Sequence, residues 1–527
     1  MTPQRSFVRK NVYLASIVVL LVPLYLLSRP ATPPRQGGEG SPGGLLARMR
    51  EEEKLSQTQL GQIDPAGETI RLATLGMRGV ATLVLWEKSN QYFKKHDWVN
   101  FSATVMQMTK LQPHFVSVWR YQGWVFSYNC SAQFDDYRAR YLWVMKGVKY
   151  LQDGIRYNEH APILLWDVGW IIAHKLGSAD EVKQHRRQFK ADDEFHGSRP
   201  LAERDNWLVG KQWFREACRR VDAGDKINKT PVLFRCEPAM CQMHYCEAIE
   251  KEGTFGEVAQ REWRNAATEW QAFGDEDIPT SDKTYIRLND EEVYRDKYAR
   301  CLDKIDPGGT LRAKIEAELR GELTEAQRAA VDLAPSARTT EQTVLAAEAE
   351  SRLRYSVDDV ARRVAGAARS EALKLAKEAK QHDAVINRIE GSRQTVNFKY
   401  WKLRADVEQR PETVAARQWI HQADEAFELG ELPDAKLAYR HGFDDWNAVM
   451  ESLYKEDQTA AKDPRKKYLG RKYEEFMESD TTGRDLMDVI RRYQQFLEQC
   501  DEDQLFAPEI AKRPHWARIR KLHEKKQ

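Results

Sequence analysis

The stretch RQWIHQADEAFELGELPDAKLAYRHGFDDWN, Arg417 to Asn447, decides the fold. Gly430 and Pro433 punctuate it. Glycine supplies the left-handed residue that ends a helix, and proline is favoured in the first turn of the next one. On either side, large and small residues recur at helical spacing: Trp419, Ala423 and Ala426 before the turn, then Ala435, Tyr439 and Gly442 after it. The small residues let two helix axes approach, while the aromatic ones fill the space between them. The segment therefore reads as a helical hairpin.

Those offsets match the large and small positions of a 34-residue tetratricopeptide unit, which buries one face by stacking and leaves another for binding. A looser echo lies upstream. Pro113 leads to Trp119 and Gly123-Trp124, and Pro162 leads to Trp166 and Gly169-Trp170. The two prolines stand further apart than one regular period, which places an insertion around Ser131 to Lys146. The expectation is a set of degenerate tetratricopeptide-like hairpins, an α-solenoid or helical bundle, with Trp119, Trp124, Trp166 and Trp170 in the core.

Composition agrees. The chain has 527 residues, enough for two or three domains. Val, Ile and Thr almost nowhere alternate with polar residues over strand-length runs, so the fold class is all-α. From about Asp306 to Ala379, Ala, Glu, Arg and Lys dominate, and Thr324 with Gln327 has the spacing of a capping box. Lys plus Arg is 82 against 80 Asp plus Glu, a net charge of +2, which argues against a global nucleic-acid-binding surface.

Near the N-terminus, VYLASIVVLLVPLYLL (Val12 to Leu27) carries no charge. As a helix it spans roughly 24 Å, slightly short of a ~30 Å hydrocarbon core, a gap that flanking polar residues cover. Arg5, Arg9 and Lys10 precede it, which favours a cytoplasmic N-terminus and an exported body on the periplasmic side. The residues beyond it lack a small-x-small cleavage site, so it reads as a retained anchor. The expected organisation is a tail at 1–11, a transmembrane anchor at 12–28 and a Pro/Gly-rich tether at 29–54. An aromatic-rich repeat domain follows at 55–305, then charged helices at 306–410 and a C-terminal hairpin domain at 411–527. The basic run from Lys512 to Lys526 reads as a solvated tail, with anionic lipid as an alternative contact.

Signs of chemistry are sparse. Cys236, Cys241, His244 and Cys246 within CEPAMCQMHYC offer four soft ligands for zinc, but their spacing is not that of a standard finger. Buried thiols, or disulfides among them or with Cys218, are the competing readings. There is no G-x-S-x-G, P-loop, H-E-x-x-H or calcium-loop pattern, so no catalytic residue and no cofactor is assigned.

The phrases YNEHAPILLWDVGWIIAHKLG (Tyr157 to Gly177), RRQFKADDEFHGSRP, RDNWLVGKQWF and VNFKYW (Val396 to Trp401) carry a further likeness. With them the chain resembles a family of large, uncharacterised, membrane-anchored planctomycete proteins. The resemblance implies lineage and topology, and no activity. The expected function is a membrane-anchored helical-repeat scaffold that holds an unidentified protein partner, without enzymatic activity. The alternatives are an envelope-lipid binder or a metal-binding protein centred on Cys236 to Cys246.

Overall fold

The computed structural model describes residues 78–524, apart from 281, 283, 334–337 and 463–470, together with 43–45, 48 and 49. The described chain is 81% helix and 1% strand, so it is all-α. The expected tail and anchor, and nearly all of the tether, lie outside the described residues. Among the described residues no helix is long and apolar enough to cross a membrane. Two compact units meet between Asn228 and Lys229, inside the region expected to run from 55 to 305.

The first unit contains α1 (Arg78–Lys94), α2 (Trp98–Leu111), α3 (Val116–Trp124), α4 (Tyr137–Tyr157), α5 (Pro162–Trp170), α6 (Val182–Lys190) and α7 (Asn206–Asp222). The sequence echo has a structural counterpart. Both α3 and α5 run directly into a widened π turn, Val125–Cys130 and Ile171–Lys175. Each packs glycine to glycine on a later helix. A Cβ added to Gly147 of α4 would lie 2.8 Å from the Gly123 carbonyl of α3, and one on Gly210 of α7 would lie 3.1 Å from the Gly169 carbonyl of α5. Around these close approaches sit Phe101, Trp119, Phe126, Val148, Leu151, Leu164 and Phe189, all buried. The expected insertion at Ser131 to Lys146 instead supplies the first half of α4, whose Asp136 cap accepts a hydrogen bond from the Arg138 N–H.

In the second unit, α8 (Glu237–Lys251) and α9 (Gly256–Asp275) precede a two-residue antiparallel ladder, β1 (Ile278–Pro279) with β2 (Tyr285–Ile286). The alanine-rich region folds as α10 (Glu291–Ile305), α11 (Thr310–Gly321), α12 (Glu325–Asp332), α13 (Thr340–Arg352), α14 (Val357–Arg362) and the long α15 (Ala368–Thr395). The Thr324–Gln327 capping box is present at the start of α12. There follow α16 (Phe398–Glu408), α17 (Pro411–Glu428), α18 (Leu432–Ala461), α19 (Lys472–Glu478), α20 (Asp480–Gln499), α21 (Phe506–Ala511) and α22 (Pro514–His523).

Arg417 to Asn447 lies in the α17–α18 pair. Gly430 adopts φ +80° in the connection, a conformation an L side chain resists. Tyr439 donates to Asp424 at 2.6 Å. A Cβ on Gly442 would sit 2.6 Å from Ile420 Cδ1. The Trp446 ring lies under Arg417. Residue pairs that advance along one helix as they retreat along the other define an antiparallel hairpin. With 30 residues, α18 outruns its partner, and Trp446 stacks on Phe476 of α19 beyond it.

The C-terminal run is not a solvated tail. Trp516 is fully buried and donates to the Phe443 carbonyl at 2.9 Å. His515 bridges the Tyr473 hydroxyl and Glu451, each at 2.8 Å. Arg513 pairs with Asp444 and Arg518 with Glu474. The apolar period of Trp516 and Ile519, both fully buried, outweighs the basic composition around it.

Candidate functional site

The π turns of the first unit organise a row of rings. On α3 and its extension, Trp124 and Tyr128 stack with centroids 3.8 Å apart and planes 14° from parallel. At the equivalent place after α5, Trp170 and His174 meet with centroids 4.0 Å apart and planes tilted by 31°. Trp170 neighbours the Tyr128 phenol and opposes the rise in its pKa, which joins the two ring pairs. Trp166 extends the row at 5.1 Å from Trp170, and Trp207 of α7 meets His174 edge-on. Also on α3, Tyr121 forms its own ring pair with Trp86 of α1 at 5.0 Å. A widened turn of this kind occurs mostly as a local feature of helices, often at functional sites.

Electrostatics frame the row. Lys175 places its ammonium 5.1 Å from the Tyr128 ring, a cation–π arrangement. Burial lowers the Lys175 pKa, with Glu181 opposing, and burial pushes the Tyr128 phenol up to about 12. Arg120 of α3 and Asp167 of α5 pair at 2.5 Å along the same two helices. The outer rings face solvent: Tyr121 is 49% exposed and Trp124 48%. Val80, Leu83 and Val84 of α1 are exposed as well. The expectation of four core tryptophans therefore needs correction. Trp119 and Trp166 are buried and Trp170 half-buried, but Trp124 is a surface ring. The side of α3 that meets solvent is fixed by α4 packing on Gly123 and Trp119, which the matching phrases around Pro113 and Pro162 do not encode.

In the second unit the hairpin rests on a buried charge network. Arg404 of α16 reaches Glu247 of α8 at 2.9 Å and Asp485 of α20 at 3.7 Å. Arg417 of α17 binds Glu408 of α16 at 2.6 Å and Asp485 at 2.8 Å, and lies 3.8 Å from Glu250 of α8. Burial opposes ionisation of Glu247, but Arg404 and His244 outweigh it and hold that carboxyl well below its usual range. Glu250 goes the other way. Burial pushes it up to about 8, with Glu408 and Glu247 adding to the effect and Arg417 opposing it. The Trp263 indole donates to its Oε1 at 2.8 Å.

A raised carboxyl makes stability fall as pH rises. Between its ordinary 4.5 and about 8 the folded chain keeps the Glu250 proton while the unfolded chain has lost it. That slope reaches at most about 1.4 kcal/mol per pH unit. Glu250→Gln keeps the acceptor for Trp263 and removes the proton, so its stability should decline less steeply over this window. Urea midpoints at several pH values check this, and parallel wild-type and variant curves would refute it.

The outer face of the hairpin carries a groove of about 350 Å3 lined by Trp419, Leu429 and Leu437 with Glu425, Glu431 and Asp434. A wider depression of about 780 Å3 follows Ala448 to Ala460 along α18 alone and contains no aromatic side chain.

Among the described residues, the four soft ligands anticipated from sequence do not appear in a group of three with ligating atoms within 4.8 Å of one another. Cys236 precedes α8 with its Sγ 3.5 Å from the Leu233 carbonyl, and Cys241 and Cys246 are buried on α8. His244 faces Glu247, with Nδ1 at 3.2 Å. Cys246 is a free thiol whose pKa burial raises well above its ordinary value. Among the described residues, the group of three whose ligating atoms lie within 4.8 Å of one another is Cys301, Glu378 and His382. Sequence reading missed it, although the Glu378-x-x-x-His382 spacing was a visible half of the signal. No family model matches the chain, and no curated protein or solved structure matches it.

Proposed function

We propose that the chain is a membrane-anchored helical-repeat scaffold that docks a partner protein on the aromatic row of its first unit. The observation that carries this reading is the pair of exposed rings on α3, Tyr121 against Trp86 and Trp124 stacked on Tyr128. Exposed apolar patches rimmed by polar groups mark interaction sites. Tyr, Trp and Arg are the residues that dominate binding energy at protein interfaces. The rings are held rigid by their neighbours, so little side-chain freedom is lost on docking. The tetratricopeptide-like α17–α18 hairpin adds a second docking element, whose acidic groove suits a segment with apolar and basic residues. The uncharged run from Val12 to Leu27 supplies the anchor and places the body on the exported side.

Affinity recovery of the full-length protein after crosslinking in intact cells tests the reading. The wild type should recover one dominant protein. Tyr121→Ala with Trp124→Ala, both surface changes, should weaken that capture by about 30-fold or more, the equivalent of about 2 kcal/mol for a hot-spot ring. A folded, membrane-embedded wild type that recovers no reproducible partner would sink the proposal.

A further inference from the structure

Helices α10 and α15 pack along a seam of small residues in which Ala372, Ala376 and Ala379 are buried. Small side chains let the two backbones come close. At this seam Cys301 of α10 meets Glu378 and His382 of α15. Glu378 and His382 are four residues apart, so a single helical turn puts both on one face. His382 Nε2 lies 3.6 Å from Glu378 Oε1, and the ligating atoms of all three side chains fall within 4.8 Å. A tetrahedral ion bonded at ~2.0–2.3 Å holds its ligand atoms roughly 3.3–3.6 Å apart, so adjustments of about 1 Å close the set.

The donor types select the ion. One thiolate, one imidazole and one carboxylate suit zinc and its neighbours, whereas magnesium and calcium take oxygen shells. The thiolate and carboxylate together balance a charge of +2. Cys301 is 5% exposed, at the edge of an apolar cluster with Ile305, Ile315 and Val360. The Glu378 side chain is 56% exposed and gives the ion a path in from solvent. The Tyr294 ring packs 5.9 Å from the His382 imidazole, on the same helix as Cys301, and limits its rotation.

We propose that Cys301, Glu378 and His382 form a three-ligand site for a zinc-class divalent ion, with water in the fourth position, that clips α10 to α15. On binding, a sulfur–metal bond forms, the Cys301 thiol proton passes to solvent, and no electron is transferred. The site is separate from the aromatic row and does not depend on partner docking.

Cobalt titration of the reduced, detergent-solubilised full-length protein tests it. The wild type should take up one equivalent and develop a thiolate-to-cobalt charge-transfer band. Cys301→Ser should abolish the band, while Cys246→Ser should leave it intact. Glu378→Gln alters a solvent-facing side chain and should fold normally. It should lower cobalt affinity by more than the ~10–100-fold that loss of an outer partner produces. A wild type without the band, in which Cys301 still reacts with a thiol reagent, would overturn the proposal. So would a band that survives Cys301→Ser.

Discussion

Arg417→Met should lower the folding stability of the chain by about 3 kcal/mol, the low end of what removing one partner from a buried ion pair costs, because Arg404 stays beside both carboxylates. The guanidinium serves Glu408 and Asp485 at once, and its face covers the Trp446 ring at 5.2 Å. Without it, the buried Glu408 and the one-third-exposed Asp485 are left with Arg404 alone, at 3.5 and 3.7 Å, beside Glu250, whose pKa burial raises. Burial opposes the Arg417 charge, yet Asp485 and Glu408 raise its pKa well above its ordinary range, so the cation is bound tightly where it stands. Arg417→Lys should not rescue the loss, because an ammonium cannot bridge two carboxylates with separate nitrogens. Removing a carboxylate together with the cation, in Arg417→Met with Glu408→Gln, should recover part of the stability. Denaturant midpoints at neutral pH read all three variants. A loss below about 1 kcal/mol for Arg417→Met would show that the network behaves like surface ion pairs.

Gly147→Ala is the second large effect, about 2–3 kcal/mol, at the upper end of overpacking changes. A methyl there meets the Gly123 carbonyl at 2.8 Å and the Ser127 backbone nitrogen at 3.1 Å, and lies closer still to Ser127 Oγ. The hydroxyl can turn away, but the two backbone atoms belong to α3 and its π turn and cannot. Helix α4 must therefore shift, which also disturbs Gly154 against Trp119. Ser127→Ala with Gly147→Ala should regain only a minor part, since the carbonyl contact stays. Gly79→Ala, where an added methyl meets nothing within 4 Å, is the control and should leave the melting temperature nearly unchanged. Equal melting temperatures for the Gly147 and Gly79 variants would show that the glycine contact does not set the helix spacing.

Much of the architecture was legible because its signals are local. The Gly430 and Pro433 pair marked the turn, the small residues Ala423, Ala435 and Gly442 marked the buried faces, and Thr324 with Gln327 marked a helix start. These depend on backbone conformation and on the 3.6-residue period, both readable in one chain. The parts that were missed depend on which elements meet. Trp124 follows the same phrase as Trp170, yet one ring is a surface group and the other half-buried, because different helices cover α3 and α5. The basic C-terminal run contains Trp516 and Ile519 at core spacing, and their burial outweighs its charge. Cys301 and His382 lie far apart in sequence and come together only through the packing of α10 on α15. The clustered cysteines near Cys241 drew attention by proximity in sequence, whereas ligation requires proximity in space.

The docking role of the aromatic row is the central claim, and a photo-crosslinking residue placed at Tyr121 tests it most directly. The same residue at Leu429, an exposed apolar position of the second unit, provides the comparison. In intact cells the Tyr121 position should give one dominant protein adduct, which Trp124→Ala should remove while the chain stays folded. Adducts that form from Leu429 but not from Tyr121, or that persist after Trp124→Ala, would contradict the assignment of the docking surface to this row.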